Sequence, residues 1–202
     1  MGATSCSAIE YSKENCKELN MAILKLLFIN YWKLTVFKET PDNTPYSPFL
    51  LCLSSILFIL IMMMQWMWVE EDFASDLLKS GVIAFSLVLS FILYSYVILF
   101  FRGLSSRLVQ TTTCLFFSQI IIHGLASPLF LLDPYLAQAN LRNPFLLLIG
   151  VFYLFITLGL SVWQFVITAH IYRYALDTSA LQSVMASFGL IAVNILTISF
   201  WR

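Results

Sequence analysis

Few side chains in this sequence have chemical reach: two histidines, four cysteines, a run of methionines and a handful of amides. A pair of histidines can hold haem iron or another metal between helices, and either ring can move a proton. If each lies on a helix, His123 falls about fifteen residues, or roughly 22 Å, in from Leu108. His170 instead closes its own apolar run at the opposite depth. The two rings are then on the order of 20 Å apart in depth, too far to share an ion. Two roles remain for His123. It is a helix-packing hydrogen-bond partner, or a functional group in a setting where ionisable side chains are costly.

Cys6, Cys16, Cys52 and Cys114 show no C-x-x-C spacing and read as free thiols, with Cys52 and Cys114 as small packing residues. Met62, Met63, Met64 and Met67 are soft donors of the kind that select Cu(I). Consecutive positions point around a helix, however, and Trp66 and Trp68 between them fit an interfacial aromatic belt. Ser161 has His170 nine residues on, about 13 Å along one helix and beyond direct proton transfer. No G-x-S-x-G, H-E-x-x-H or P-loop occurs. The expectation is therefore no enzyme, no metal and no cofactor. The remaining candidate polar positions are Gln65, Gln119, Gln164 and Asn194, with His170 and Arg173 at the end of one run. The amides serve either as interhelical bonds or as the lining of a path for an uncharged solute.

These residues must be positioned by elements suited to lipid. The chain is 60% hydrophobic and 11% charged, with a mean hydropathy of +0.86. Eleven basic and eleven acidic residues cancel, so the footprint of a nucleic-acid binder is missing. Five apolar runs, 49–69, 80–101, 108–132, 145–169 and 179–201, contain no Asp, Glu, Lys or Arg. Each has the roughly 20 residues that a hydrocarbon core about 30 Å thick demands of a helix. None alternates as a barrel strand does. The expected fold is an all-α integral membrane bundle of five transmembrane helices, residues 49–202, preceded by a 1–48 segment. No remaining piece is long enough for a soluble catalytic domain. Proton relays, ion-coupled carriers and voltage sensors depend on charges within the spans, so charge-free spans argue against them.

Punctuation sets the boundaries. Asn143-Pro144 precedes the fourth run, Asp177 and Thr178 stand ready to cap the fifth, and Gly103 suits the left-handed end of the second. Short connections, Glu70–Lys79, Arg102–Arg107, Asp133–Pro144 and His170–Thr178, predict adjacent antiparallel neighbours. Ser86/Ser90 and Ser183/Ser187 permit close helix approach. Lys13, Lys17, Lys25, Lys33, Lys38, Arg102, Arg107 and Arg173 fall on one side. Lys79, Arg142 and Arg202 fall on the other, beside Glu70, Glu71, Asp72 and Asp76. That bias places the N-terminus in the cytoplasm and the C-terminus outside.

Ahead of the spans, Met1–Asn20 is polar and lacks the apolar core of a signal peptide, and Cys6 breaks the myristoylation pattern. Met21 is an alternative start. Met21–Thr40, with Trp32, Phe28 and three lysines, reads as an amphipathic helix in the headgroup layer. Pro41, Pro45 and Pro48 make a stiff, extended connector into the first span.

The phrases PDNTPYSPFLL, RLVQT and HIYRYAL, with a short lead and five spans, resemble small bacterial inner-membrane proteins of the Yip-like group. The resemblance covers roughly Trp32 to the end and implies the fold and a bacterial inner-membrane location, but no catalytic residue. The leading expectation is a non-enzymatic scaffold or accessory subunit whose partners are the lipid bilayer and another membrane protein. The alternative is a small channel or carrier for an uncharged solute.

Overall fold

Backbone polar groups in hydrocarbon have no water to turn to and must be satisfied inside their own segment, so each apolar run closes on itself as a helix. The computed structural model describes residues 25–67, 73–137 and 144–201. Met1–Asn20 with Cys6 and Cys16, the Met21 start, Glu70, Glu71, Asp72, Arg142, Asn143 and Arg202 lie outside the described residues. A short lead helix, α1 (25–35), precedes α2 (Pro48–Met67), α3 (Phe73–Phe101), α4 (Leu108–Ala137), α5 (Pro144–Ala175) and α6 (Ala180–Trp201). No strand occurs among the described residues. Helices α2 to α6 are each long and apolar enough to cross a membrane, and the chain is a multi-pass helical membrane protein.

The helices overrun the apolar runs. α3 begins at Phe73 and absorbs Lys79, α4 carries on to Ala137, and α5 continues through His170 and Arg173 to Ala175. Continuing a helix into the headgroup layer keeps its hydrogen bonds closed at no cost in buried charge. The expected connections are shortened accordingly. Three helices end with the same device. Phe37, Gly103 and Asp177 have φ of 61°, 70° and 47°, and the next amide reaches back five residues: Lys38 to Lys33 O, Leu104 to Leu99 O, Thr178 to Arg173 O. Gly103 takes the left-handed conformation freely. Asp177 thus closes α5 instead of capping α6, and the enclosed Thr178 hydroxyl has no partner among the described residues.

Cross-helix contacts fix the directions. Gln65 meets His123, and Thr44, just before α2, meets Cys114, so α2 and α4 run parallel. Gln119 meets Gln164 and Arg107 meets Tyr174, so α4 and α5 are antiparallel. In order round the bundle come α2, α4, α5, α6 and α3, with α3 and α4 touching across the middle. Successive helices are neighbours, but α2 against α4 and α3 against α6 are further neighbours that the short connections do not foretell. Phe58, Phe91 and Phe116 form a triangle at the centre, with ring centroids 5.6–5.9 Å apart, tying α2, α3 and α4 together.

The lead helix is not wholly at the surface. Tyr31 and Leu34 are fully buried, and the Tyr31 ring stacks on Phe117 at 3.9 Å. Trp163 Nε1 donates to Thr35 O at 3.1 Å. Phe117 is nine residues beyond Leu108, about 13 Å of helix, so this face enters the groove between α4 and α5. Leu26, Phe28, Ile29 and Trp32 remain exposed. The proline connector is also more compact than expected: Pro41–Asn43 is one 3-10 turn, closed by the Thr44 hydroxyl donating to Pro41 O at 2.6 Å. Cys114 is buried, whereas Cys52 is exposed on α2 instead of packed between helices.

Tyr94 and Gly189 set the approach of α3 and α6. The Tyr94 hydroxyl donates to Ala186 O at 2.6 Å and lies where a Cβ on residue 189 would stand. Gly189→Ala is expected to cost about 1–3 kcal/mol by overpacking. Tyr94→Phe is expected to cost ~0.6–1.7 kcal/mol for one interhelical bond. Combined, the two cost less than their sum, because the phenylalanine removes the atom nearest the new methyl. Unfolding midpoints in detergent measure this, and strict additivity would contradict the contact.

Candidate functional site

Polar side chains gather at two places, one at the end of the bundle where α2 begins and one deeper, between α4 and α5. At the first, Gln110 on the opening turn of α4 points its amide at the lead turn. Its Nε2 donates to Pro41 O (2.7 Å), Thr44 O (2.9 Å) and Asp42 O (3.2 Å). The Thr44 hydroxyl lies 3.3 Å from Cys114 Sγ. Arg107, one turn earlier, donates to Tyr174 O at 3.1 Å and stands 3.8 Å from the Asp42 carboxylate, an exposed pair of little energetic weight. Burial pushes the Tyr31 hydroxyl well above its ordinary pKa, with Cys114 adding to the effect. That hydroxyl has no hydrogen-bond partner among the described residues.

His170 and Arg173 are a turn apart at the same end. The His170 ring meets Phe37 edge-on at 5.2 Å and Tyr174 at 4.9 Å, and its Nε2 is enclosed without a partner among the described residues. Arg173 is exposed and shares with His170 a shallow recess against Phe37 and Ser183. The phrases PDNT, RLVQT and HIYRYAL therefore meet at one place, through Asp42 and Thr44, Arg107 and Gln110, and His170 and Tyr174. Gln110 is the residue that sequence reasoning missed. A glutamine in the first turn of a span was the available signal.

The deeper place is built on Gln65, which is 1% exposed. Its Nε2 donates to His123 O at 2.8 Å, which turns its Oε1 towards His123 Nδ1 at 3.0 Å. Nδ1 must then carry the proton, and Nε2 is left as an acceptor. Ser127 also donates to His123 O, at 3.0 Å. Four residues towards the α4 start, Gln119 accepts from Gln164 Nε2 across the α4–α5 interface. On α3 and α6, Ser90 donates to Asn194 Oδ1 at 3.2 Å. Each of the four amides is thus engaged across a helix interface.

Beside His123 is a cavity of about 250 Å³ between α4 and α5. Gln164, Ser161, Thr157 and Tyr153 line it from α5, and Ile122, Leu129 and Phe130 from α4. His123 and His170 do not share it. Taking Gln119 and Gln164 as level, His123 lies about 6 Å to one side and His170 about 9 Å to the other. Ser161 donates to Thr157 O at 2.8 Å and does not approach His170. Of the methionines, Met62 is buried and Met64 exposed, so the run is spread round α2. Among the described residues no three His, Cys, Asp or Glu converge as metal ligands.

Gln110 offers a test of the first place. Gln110→Glu swaps a donor for an oxygen facing three carbonyl oxygens, and is expected to destabilise by about 1–3 kcal/mol, more than the smaller Gln110→Ala. Limited proteolysis should then cut within 36–47 in the variant and spare the parent. Equal resistance of both would remove Gln110 from this role.

No family model matches this chain, and no curated protein or solved structure matches it either, so its function is read from the arrangement of its own residues.

Proposed function

We propose that this chain is a non-enzymatic accessory subunit or scaffold of the bacterial inner membrane that works by laying α5 against a helix of another membrane protein. One observation carries the reading. From Pro144 to Val166 no residue of α5 is buried, whereas most of the residues from Ile167 to Ala175 are. Along the unburied part, Leu148, Phe152, Phe155, Gly159, Val162 and Val166 are all exposed and spaced alternately four and three apart, the spacing of a helix–helix seam. Space around Gly159 is open, which lets a second backbone come close. The amides support a scaffold over a solute path, because each is used in a bond between helices.

In this reading the end where α2 begins is cytoplasmic. The basic bias supports it, with Arg102, Arg107 and Arg173 at that end and Lys79 near the other. Lys25, Lys33 and the exposed apolar residues of α1 suit the headgroup layer on the same side. The Yip-like resemblance is in keeping with this arrangement, since the phrases that carry it lie at that end.

Two measurements test the proposal. In intact cells a single cysteine at Ala74 should react with an impermeant thiol reagent and one at Ser105 should not, and the reverse pattern would sink the orientation. Gly159→Ile should lower the yield of a co-purifying membrane protein by about tenfold, the equivalent of 1.4 kcal/mol, without changing the unfolding midpoint. A well-folded Gln119→Leu or Gln164→Leu variant that loses flux of an uncharged solute in liposomes would favour the channel reading instead.

A further inference from the structure

The cavity beside His123 is bordered by several hydrogen-bond acceptors. His123 Nε2 is an acceptor, because Gln65 holds the ring proton on Nδ1. The hydroxyl protons of Thr157 and Ser161 are committed to carbonyl oxygens behind them, Thr157 to Tyr153 O at 2.9 Å and Ser161 to Thr157 O at 2.8 Å. Their oxygens therefore offer lone pairs. Gln164 gives its amide to Gln119, and its own Oε1 has no hydrogen-bond donor among the described residues. Four acceptors thus border one cavity of about 250 Å³ whose remaining walls, Ile122 and Leu129 among them, are apolar except for Tyr153. An acceptor-rich recess in hydrocarbon attracts a donor, and unmet acceptors there are costly.

Depth narrows the donor to a class. His123 is about 22 Å of helix beyond Leu108, so in a core about 30 Å thick it lies roughly 8 Å beneath the far boundary. A phosphate or ammonium head drawn that far in would carry a charge into low dielectric with no counter-charge to meet it, since the cavity lining contains none. A small neutral head suffers no such penalty. The volume is that of about eight waters at roughly 30 Å³ each, enough for a hydroxyl head and its first carbons, with the tail left in the bilayer.

We propose that the α4–α5 cavity is a lateral binding site for a neutral, hydroxyl-bearing lipid, whose O–H donates to His123 Nε2 while its chain follows the apolar walls. Gln65 is the positioning residue, since it sets the tautomer without touching the ligand. The site is independent of the α5 seam and stands whether or not a protein partner is engaged there.

The test uses the full chain in phosphatidylcholine vesicles with a diazirine-bearing long-chain alcohol, compared with the methyl ether of the same probe, which lacks the donor. The alcohol should label α4 and α5 around 122–130 and 153–164, saturably and in competition with unlabelled alcohol. The ether should label about five- to tenfold less, the worth of one neutral hydrogen bond. His123→Leu should abolish the difference between the two probes. Ser161→Phe, at an exposed position that lines the cavity, should fill it and abolish the excess labelling by the alcohol while leaving the unfolding midpoint unchanged, and this variant decides the matter if His123→Leu does not fold. Equal labelling by alcohol and ether, or unchanged alcohol labelling in the folded Ser161→Phe variant, means contact with a lipid chain only and overturns the site.

Discussion

Five helices whose apolar runs carry no charge have little to tell one packing from another. Lipid chains are as apolar as leucine, so no hydrophobic force selects the neighbours. What remains is the requirement that each buried amide and hydroxyl find a partner. One or two such pairs mark most interfaces: Gln65 with His123 between α2 and α4, Gln119 with Gln164 between α4 and α5, and Ser95 with Tyr172 between α3 and α5. Tyr94 with Ala186 O and Ser90 with Asn194 join α3 to α6. The α2–α3 interface is held by the Phe58–Phe91 contact and by Met63 against Gly81. Each bond contributes only ~0.6–1.7 kcal/mol. Their placement, more than their sum, sets the helix rotations, because a helix turned by one residue leaves an amide facing lipid.

The same requirement explains the end of the bundle where α2 begins. The carbonyls of the 3-10 turn at Pro41–Asn43 lie beyond any helix ladder; Gln110 donates to Pro41 O and Asp42 O and to Thr44 O just after the turn, and Thr44 adds its own bonds to Pro41 O. The last carbonyls of α1, α3 and α5 are met by the five-residue return that follows a left-handed residue. At Phe37 this conformation is unfavourable for a non-glycine side chain, by roughly 1–2 kcal/mol. Its ring lies against His170, a contact that offsets the strain.

Much of the architecture can be read in the sequence because the bilayer imposes a length. A run such as Phe49–Val69 without a charge has little alternative to a helix. Helix ends are less legible, since Lys79 and Arg173 mark the limit of hydrocarbon and not of hydrogen bonding, and both helices continue past them. Neighbours that are not successive, α2 with α4 and α3 with α6, depend on which face each span turns inward, and nearly uniform apolar faces conceal that. The polar positions stand out by type, but the partner of His123 is Gln65, 58 residues away, and no local pattern encodes such a pairing. Gln110 escaped notice for a related reason: its three acceptors are backbone carbonyls, which every residue possesses.

The wedge of α1 between α4 and α5 has a consequence for how the protein is made. Thr35 and its hydrogen-bond partner Trp163 are 128 residues apart. At synthesis rates of about 5–20 residues per second, the lead helix emerges roughly 6 to 25 seconds before the wall it packs against. During that interval the Tyr31 and Leu34 face has no groove to enter, while α2, α3 and α4 are leaving the ribosome in turn. The N-terminal helix thus stays unseated until the fourth span has been made, and docking α1 becomes a late step of assembly although it is the first of the described helices to be synthesised.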